Sequence, residues 1–163
     1  MTIICALHDK KTNTTYLGAN SHATLGDTIA PGPSPSWFHF GKWMIAFSGE
    51  AVHTDLLELE SDTFPSDSDS ALAVLKHLKA VFDEFDIEHQ KGDWASPSYE
   101  VWGILVHASG RVWDVDSHLA LTEIPAGKLW ARGSGMEFAL GSDHALQRTN
   151  ATSQQRVRRA VEA

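Results

Sequence analysis

Residues 18–29 read Gly18-Ala19-Asn20-Ser21-His22-Ala23-Thr24-Leu25-Gly26-Asp27-Thr28-Ile29, and they continue directly from a β-rich pair of segments. Ile3 to His8 is a short apolar run closed by Asp9-Lys10-Lys11-Thr12-Asn13, and the run from Thr14 to Asn20 comes next, which is the pattern of a hairpin. Downstream, Ala30-Pro31-Gly32-Pro33-Ser34-Pro35 predicts a loop, because closely spaced prolines supply neither helix nor ladder donors. Trp37 to Phe40 and Lys42 to Phe47, split by Gly41, predict a second tight hairpin, giving four early strands.

After Ser48-Gly49 the period changes. Val52, Leu56, Leu57 and Leu59 suit one helix face, and a polar stretch from Ser61 to Ser70 supplies caps for a second helix. That helix carries its apolar residues at Leu72, Val74, Leu75, Leu78, Val81, Phe82 and Phe85. Strand character returns in Tyr99 to His107, Arg111 to Asp116, His118 to Ile124 and Lys128 to Arg132. A Gly133-Ser134-Gly135 turn follows, then helices over Met136 to Arg148 and Ser153 to Glu162. This order predicts an α+β layered fold in which sheets pack together and helices cover their outer faces.

At 163 residues, 42% apolar and 21% charged, the chain has the composition of one globular domain, which excludes wholesale disorder. Twenty-one acidic against thirteen basic residues leave a net charge of −8, unfavourable for nucleic acid or anionic lipid. The basic cluster Arg156, Arg158 and Arg159 is too small to reverse that. A single cysteine, Cys5, excludes an intrachain disulfide and points to a reducing compartment, so a cytoplasmic location is expected. No apolar run has the length of a membrane span, and the opening residues lack the order of a signal peptide.

Two sets of residues carry a family resemblance. The first is Thr2-Ile3-Ile4, residues 18–29 and Ile45-Ala46-Phe47-Ser48-Gly49; the second is Ala131-Arg132-Gly133-Ser134-Gly135, Phe138-Ala139-Leu140-Gly141 and Ala145-Leu146. In order and separation they resemble the proteasome β-subunits, and in particular the bacterial HslV peptidase, across nearly the whole chain. The resemblance implies a four-layer αββα N-terminal-nucleophile (Ntn) hydrolase fold spanning residues 1–163. It also implies a homo-oligomeric ring, an unfoldase ATPase partner and a peptide or protein substrate, with no cofactor and no metal.

On the same resemblance Thr2 is the nucleophile, exposed when Met1 is removed, and its own α-amine acts as general base. That chemistry suits an amine whose ordinary pKa is about 7.7–8.0. Gly49 matches the oxyanion-hole glycine, Ser134 the serine beside the amine, and Ala51 a pocket-lining position. Two positions depart from the pattern. Asn20 stands where the family has aspartate and Ser36 where it has lysine, and no lysine occurs between Lys11 and Lys42. Asn20 can form hydrogen bonds but cannot balance a buried cation. Lys42, at a hairpin turn, and His39, at the opposite strand parity to Ser36, are poor substitutes.

Impaired or atypical threonine-peptidase activity is therefore expected. The alternatives are a catalytically inactive ring-assembling or binding homologue and a small-amide amidohydrolase of the Ntn class. The chain also stops short of the family's C-terminal strand segment, which predicts an incomplete sheet edge. Asp114, Asp116 and His118 alternate as metal ligands would, yet a solvated outer strand face with a turn at Ser117 explains them without a metal. Asp62, Asp67 and Asp69 form a helix-leading loop without EF-hand spacing. Cys5 reads as a buried core thiol, and the six tryptophans as core with some facing neighbouring subunits.

Overall fold

The computed structural model describes residues 2–20, 22–25, 28–31, 37–49, 51–84, 90–91, 97–99 and 101–163. Met1, Ser36, residues 32–35 of the expected loop, and Phe85 lie outside the described residues. The elements run β1 (Ile4–Asp9), β2 (Thr14–Ala19), β3 (His22–Leu25), β4 (Thr28–Pro31), β5 (Phe38–Phe40) and β6 (Trp43–Gly49). Two helices follow, α1 (Ala51–Leu59) and α2 (Ala71–Glu84), then β7 (Gln90–Lys91), β8 (Pro97–Ser98), β9 (Val101–His107), β10 (Val112–Val115), β11 (Leu121–Ile124) and β12 (Trp130–Arg132). The chain closes with α3 (Met136–Leu146) and α4 (Ser153–Glu162).

Two antiparallel sheets carry the fold. One is three-stranded in the order β12-β1-β2, and the other five-stranded in the order β11-β10-β9-β6-β5. Their side chains sort into three apolar cores that define four layers. Ile3, Cys5 and Leu7, in and just before β1, pack with Leu129 and Ala131 against Ala139 of α3 and Val157 and Ala160 of α4. On the opposite face of β1, Ile4 and Ala6 meet Ala46, Ile104, Val106 and Val112 of the second sheet. Trp43, Ile45, Leu105 and Trp113, on the far face of that sheet, pack against Leu57 of α1 and Leu78 and Phe82 of α2. β1 is thus buried on both faces, which is why its sequence is a continuous apolar run rather than an alternating one.

The predicted hairpins form as β1–β2 and β5–β6. Among the described residues the early strands number six rather than four, because β3 and β4 also pair with each other, antiparallel, from His22 opposite Pro31 to Leu25 opposite Thr28. Ala30 and Pro31, read as loop, are the last two residues of β4; a proline is tolerated at the end of such a short, two-stranded ladder. α4 starts where expected, fixed by a capping box in which Thr152 Oγ1 accepts from the Gln155 N–H and Gln155 Oε1 accepts from the Thr152 N–H. No helix among the described residues is long and apolar enough to cross a membrane.

Candidate active site

Thr2 stands two residues ahead of Ile4, just before β1, in line with the face that carries Ile4 and Ala6. By the same alternation Ser48 and Trp102 follow Ala46 and Ile104 on the facing sheet, and Arg132 follows Trp130 on β12. All of them sit where the core between the sheets reaches the surface. There Thr2, Ser48, Gly49, Trp102, Arg132, Gly133, Ser134 and Met136 line a cleft of about 410 Å³. Thr2, Gly49 and Ser134, singled out in the sequence from segments far apart, are brought together. Ala51 opens α1, but the pocket-lining expectation for it falls on a side chain outside the described set.

The Gly133-Ser134-Gly135 turn grips Thr2 from both sides. The Thr2 backbone nitrogen donates to Ser134 Oγ at 2.9 Å, and the Thr2 carbonyl accepts from the Gly135 N–H at 3.1 Å. Gly133 has φ of +103°, and a Cβ built there would stand 2.2 Å from the Thr2 carbonyl oxygen. The glycine is therefore needed twice, for its backbone conformation and for the approach to Thr2. Gly133→Ala is expected to lower stability by about 2 kcal/mol or more and to break the Thr2–Ser134 bond; a urea titration reads the first. Gly49, with φ of +141°, ends β6 ahead of α1, consistent with its reading as a strand-to-helix turn.

Asn20 lies next to this site without lining it. Its Oδ1 accepts from the Ile3 N–H at 2.7 Å while its own N–H donates to the Ile3 carbonyl at 3.0 Å, which anchors the backbone just past Thr2. Lys42 is elsewhere, with Nζ donating to Asp69 Oδ1 at 2.8 Å and to the Asp67 carbonyl at 3.0 Å. His39, exposed on β5 opposite Met44, is not in the cleft either. Asp69 also lies 3.3 Å from His107 Nε2, so the acidic helix-leading loop is tied to the second sheet.

One buried ion pair at the cleft escaped the sequence reading. Asp114 is not on a solvated face: it is buried on the inner face of β10, where Arg132 Nε and Nη2 donate to its two oxygens at 2.5 Å each. Trp130 Nε1 donates to the same carboxylate at 2.8 Å. The hydrogen bonds to Asp114 hold the Arg132 guanidinium pKa above its ordinary value, so it is charged at every working pH. The available signal was an acid inside one apolar strand and an arginine inside another, since each needs a partner when buried. Asp116, by contrast, accepts from the His118 and Ala120 N–H groups and shapes a turn. No group of three or more metal-ligating side chains assembles among the described residues. Cys5 is fully buried, and desolvation, reinforced by Asp143, pushes its thiol up to about 12, which removes it as a nucleophile.

Two β-sheets face to face, helices on both outer faces and the first strand's leading residue at the open end constitute the αββα Ntn-hydrolase fold of the proteasome β and HslV type. Among solved structures the chain is similar to Thiobacillus denitrificans BPH at 19% identity and a TM-score of 0.75, covering 99% of this chain and 87% of that one. A structure of the same Thiobacillus protein in complex with epoxomicin matches at a TM-score of 0.74 with the same identity and coverage. Eukaryotic HslV from Trypanosoma brucei matches at 16% identity and a TM-score of 0.70, covering 98% of this chain and 88% of that one. No protein-family model matches the sequence, and no curated protein matches it.

Proposed function

We propose that the chain is a threonine-type amide hydrolase of the proteasome-like class, acting on peptides once Met1 is removed. The observation that carries this reading is the Thr2 nitrogen 2.9 Å from Ser134 Oγ in a cleft that Gly49 also lines. With Met1 attached, that nitrogen is an amide and cannot accept a proton. With Met1 removed it is an amine on the same residue as the nucleophilic hydroxyl.

The amine takes the proton of the Thr2 hydroxyl as Oγ adds to the substrate carbonyl carbon, and the Gly49 N–H stabilises the resulting oxyanion. The ammonium returns a proton to the departing amine as the C–N bond breaks, leaving an ester on Thr2. Water, deprotonated by the same amine, adds to the ester, and expulsion of Thr2 Oγ restores the hydroxyl. Trp102 and Met136 give the cleft an apolar wall suited to a peptide side chain.

Asn20 in place of an aspartate supports a slower or altered enzyme, and equally the second reading of a catalytically inactive ring-assembling or binding protein. A homo-oligomeric ring, an unfoldase ATPase partner, a cytoplasmic location and a single domain over residues 1–163 belong to the same proposal. An intact-mass measurement after bacterial expression is expected to show the loss of one methionine. Turnover of a peptide library but not of small amides then supports the peptidase, while the reverse supports a small-amide amidohydrolase. Retained Met1, or no turnover of either class by the chain beginning at Thr2, overturns the enzymatic reading.

A further inference from the structure

Among the described residues that line the cleft, Arg132 is the charged one, and the steps above do not use it. Strand register fixes where its charge sits. Arg132 stands opposite Ile4 at the end of the ladder, and Thr2, two residues ahead of Ile4 and bonded to the Gly133-Ser134-Gly135 turn, lies diagonal to it. Such neighbours are roughly 7–8 Å apart, within reach of a long side chain. The guanidinium is held in place by its two bonds to Asp114, and the Trp130 ring lies 5.8 Å from its central carbon. The Arg132 side chain is 18% exposed and that of Asp114 is 8% exposed, so the pair acts in a medium less screening than bulk water. Arg132 lines the cleft together with Thr2 and Asp114 does not, so it is the positive member of the pair that borders the space beside Thr2.

A buried ion pair seldom contributes more stability than apolar residues of the same volume, so its location calls for another account. We propose that the Arg132–Asp114 pair is an electrostatic positioning element for Thr2, holding the α-amine in its neutral, proton-accepting form and favouring the developing alkoxide. This rests on the reading of Thr2 as a nucleophile that carries its own base. Among the described residues, Asp116, just past β10, acts on the Arg132 charge, and the exposed Glu137 lies in the first turn of α3, which follows the Gly133-Ser134-Gly135 turn. The N-terminus of α3 adds a positive dipole end beside the Thr2 carbonyl. Those contributions stay constant when only the pair is changed.

The two halves of the pair make predictions of opposite sign. Arg132→Met removes the cation and leaves Asp114 negative, so the amine pKa rises by about half a unit or more. Asp114→Asn keeps the shape and a hydrogen-bond acceptor but leaves Arg132 unbalanced, so the amine pKa falls. The chain is prepared with Thr2 as its first residue by cleavage of an N-terminal fusion. The neutral-amine fraction is then read as the pH dependence of modification by a small amine-reactive reagent, mapped to the Thr2 peptide by mass spectrometry. Expected are a wild-type value below the ordinary range, a rise for Arg132→Met and a fall for Asp114→Asn. Unchanged values, or shifts in the same direction, overturn the proposal; if Arg132→Met does not fold, the fall in Asp114→Asn alone decides. Because the readout needs no turnover, opposite shifts in a chain that hydrolyses nothing would uphold the electrostatic proposal and sink the hydrolase reading, and an active chain without them would do the converse.

Discussion

Thr2→Ala is expected to remove amide hydrolysis, with turnover falling by at least about a thousandfold, because the hydroxyl that forms the covalent intermediate is gone. The backbone bonds that hold residue 2 involve its nitrogen and carbonyl, donated to Ser134 Oγ and accepted from the Gly135 N–H, and both survive the change. Stability should therefore move little, and a thermal melt should separate lost chemistry from lost fold. Thr2→Ser retains a hydroxyl and should keep measurable activity. Residual hydrolysis at the wild-type rate in Thr2→Ala would place the chemistry somewhere other than this cleft.

The second large effect is on folding. Asp143 of α3 is 2% exposed and accepts from Arg156 Nε at 2.6 Å, Arg156 Nη2 at 3.0 Å and Gln147 Nε2 at 2.7 Å. Arg156→Met leaves that carboxylate buried without its cation, which is expected to cost about 3–5 kcal/mol. The loss should show as a lower urea midpoint with little change in slope. Arg156→Met combined with Asp143→Leu should recover most of the stability, since apolar residues of similar volume can replace such a pair. A single variant as stable as the wild type would mean that α3 and α4 dock without this pair.

That pair also shows how a sequence pattern can be read correctly and used too little. Arg156, Arg158 and Arg159 are too few to attract a polyanion, but the reason lies deeper than their number: Arg156 is consumed by Asp143, while Arg158 and Arg159 both pair with Glu162. The layered architecture was legible because strands buried on two faces write continuous apolar runs, as Ile3 to Leu7 do, whereas helices facing one core write a stripe. The β3–β4 hairpin was missed because its segments are only four residues each and the second ends on a proline.

Thr2, Gly49 and Ser134 were singled out through the resemblance, and they line one cleft. The contribution of Asn20 is a different one from charge balance, since its amide oxygen holds the Ile3 N–H. Asp114 was misread because alternation alone cannot tell a solvated strand face from one packed on a second sheet. Its partner, eighteen residues away on another sheet, is set by tertiary packing. A cation thus reaches this cleft from β12, whereas Lys42 pairs with Asp69 elsewhere.

The central claim, that Thr2 is a terminal nucleophile in this cleft, is most directly tested by peptide mapping of the expressed chain after incubation with epoxomicin, the compound bound in the Thiobacillus structure. Expected are a chain that begins at Thr2 and a single adduct on its first residue, absent in Thr2→Ala. A chain that retains Met1, or a chain beginning at Thr2 that stays unmodified under saturating epoxomicin, would contradict it.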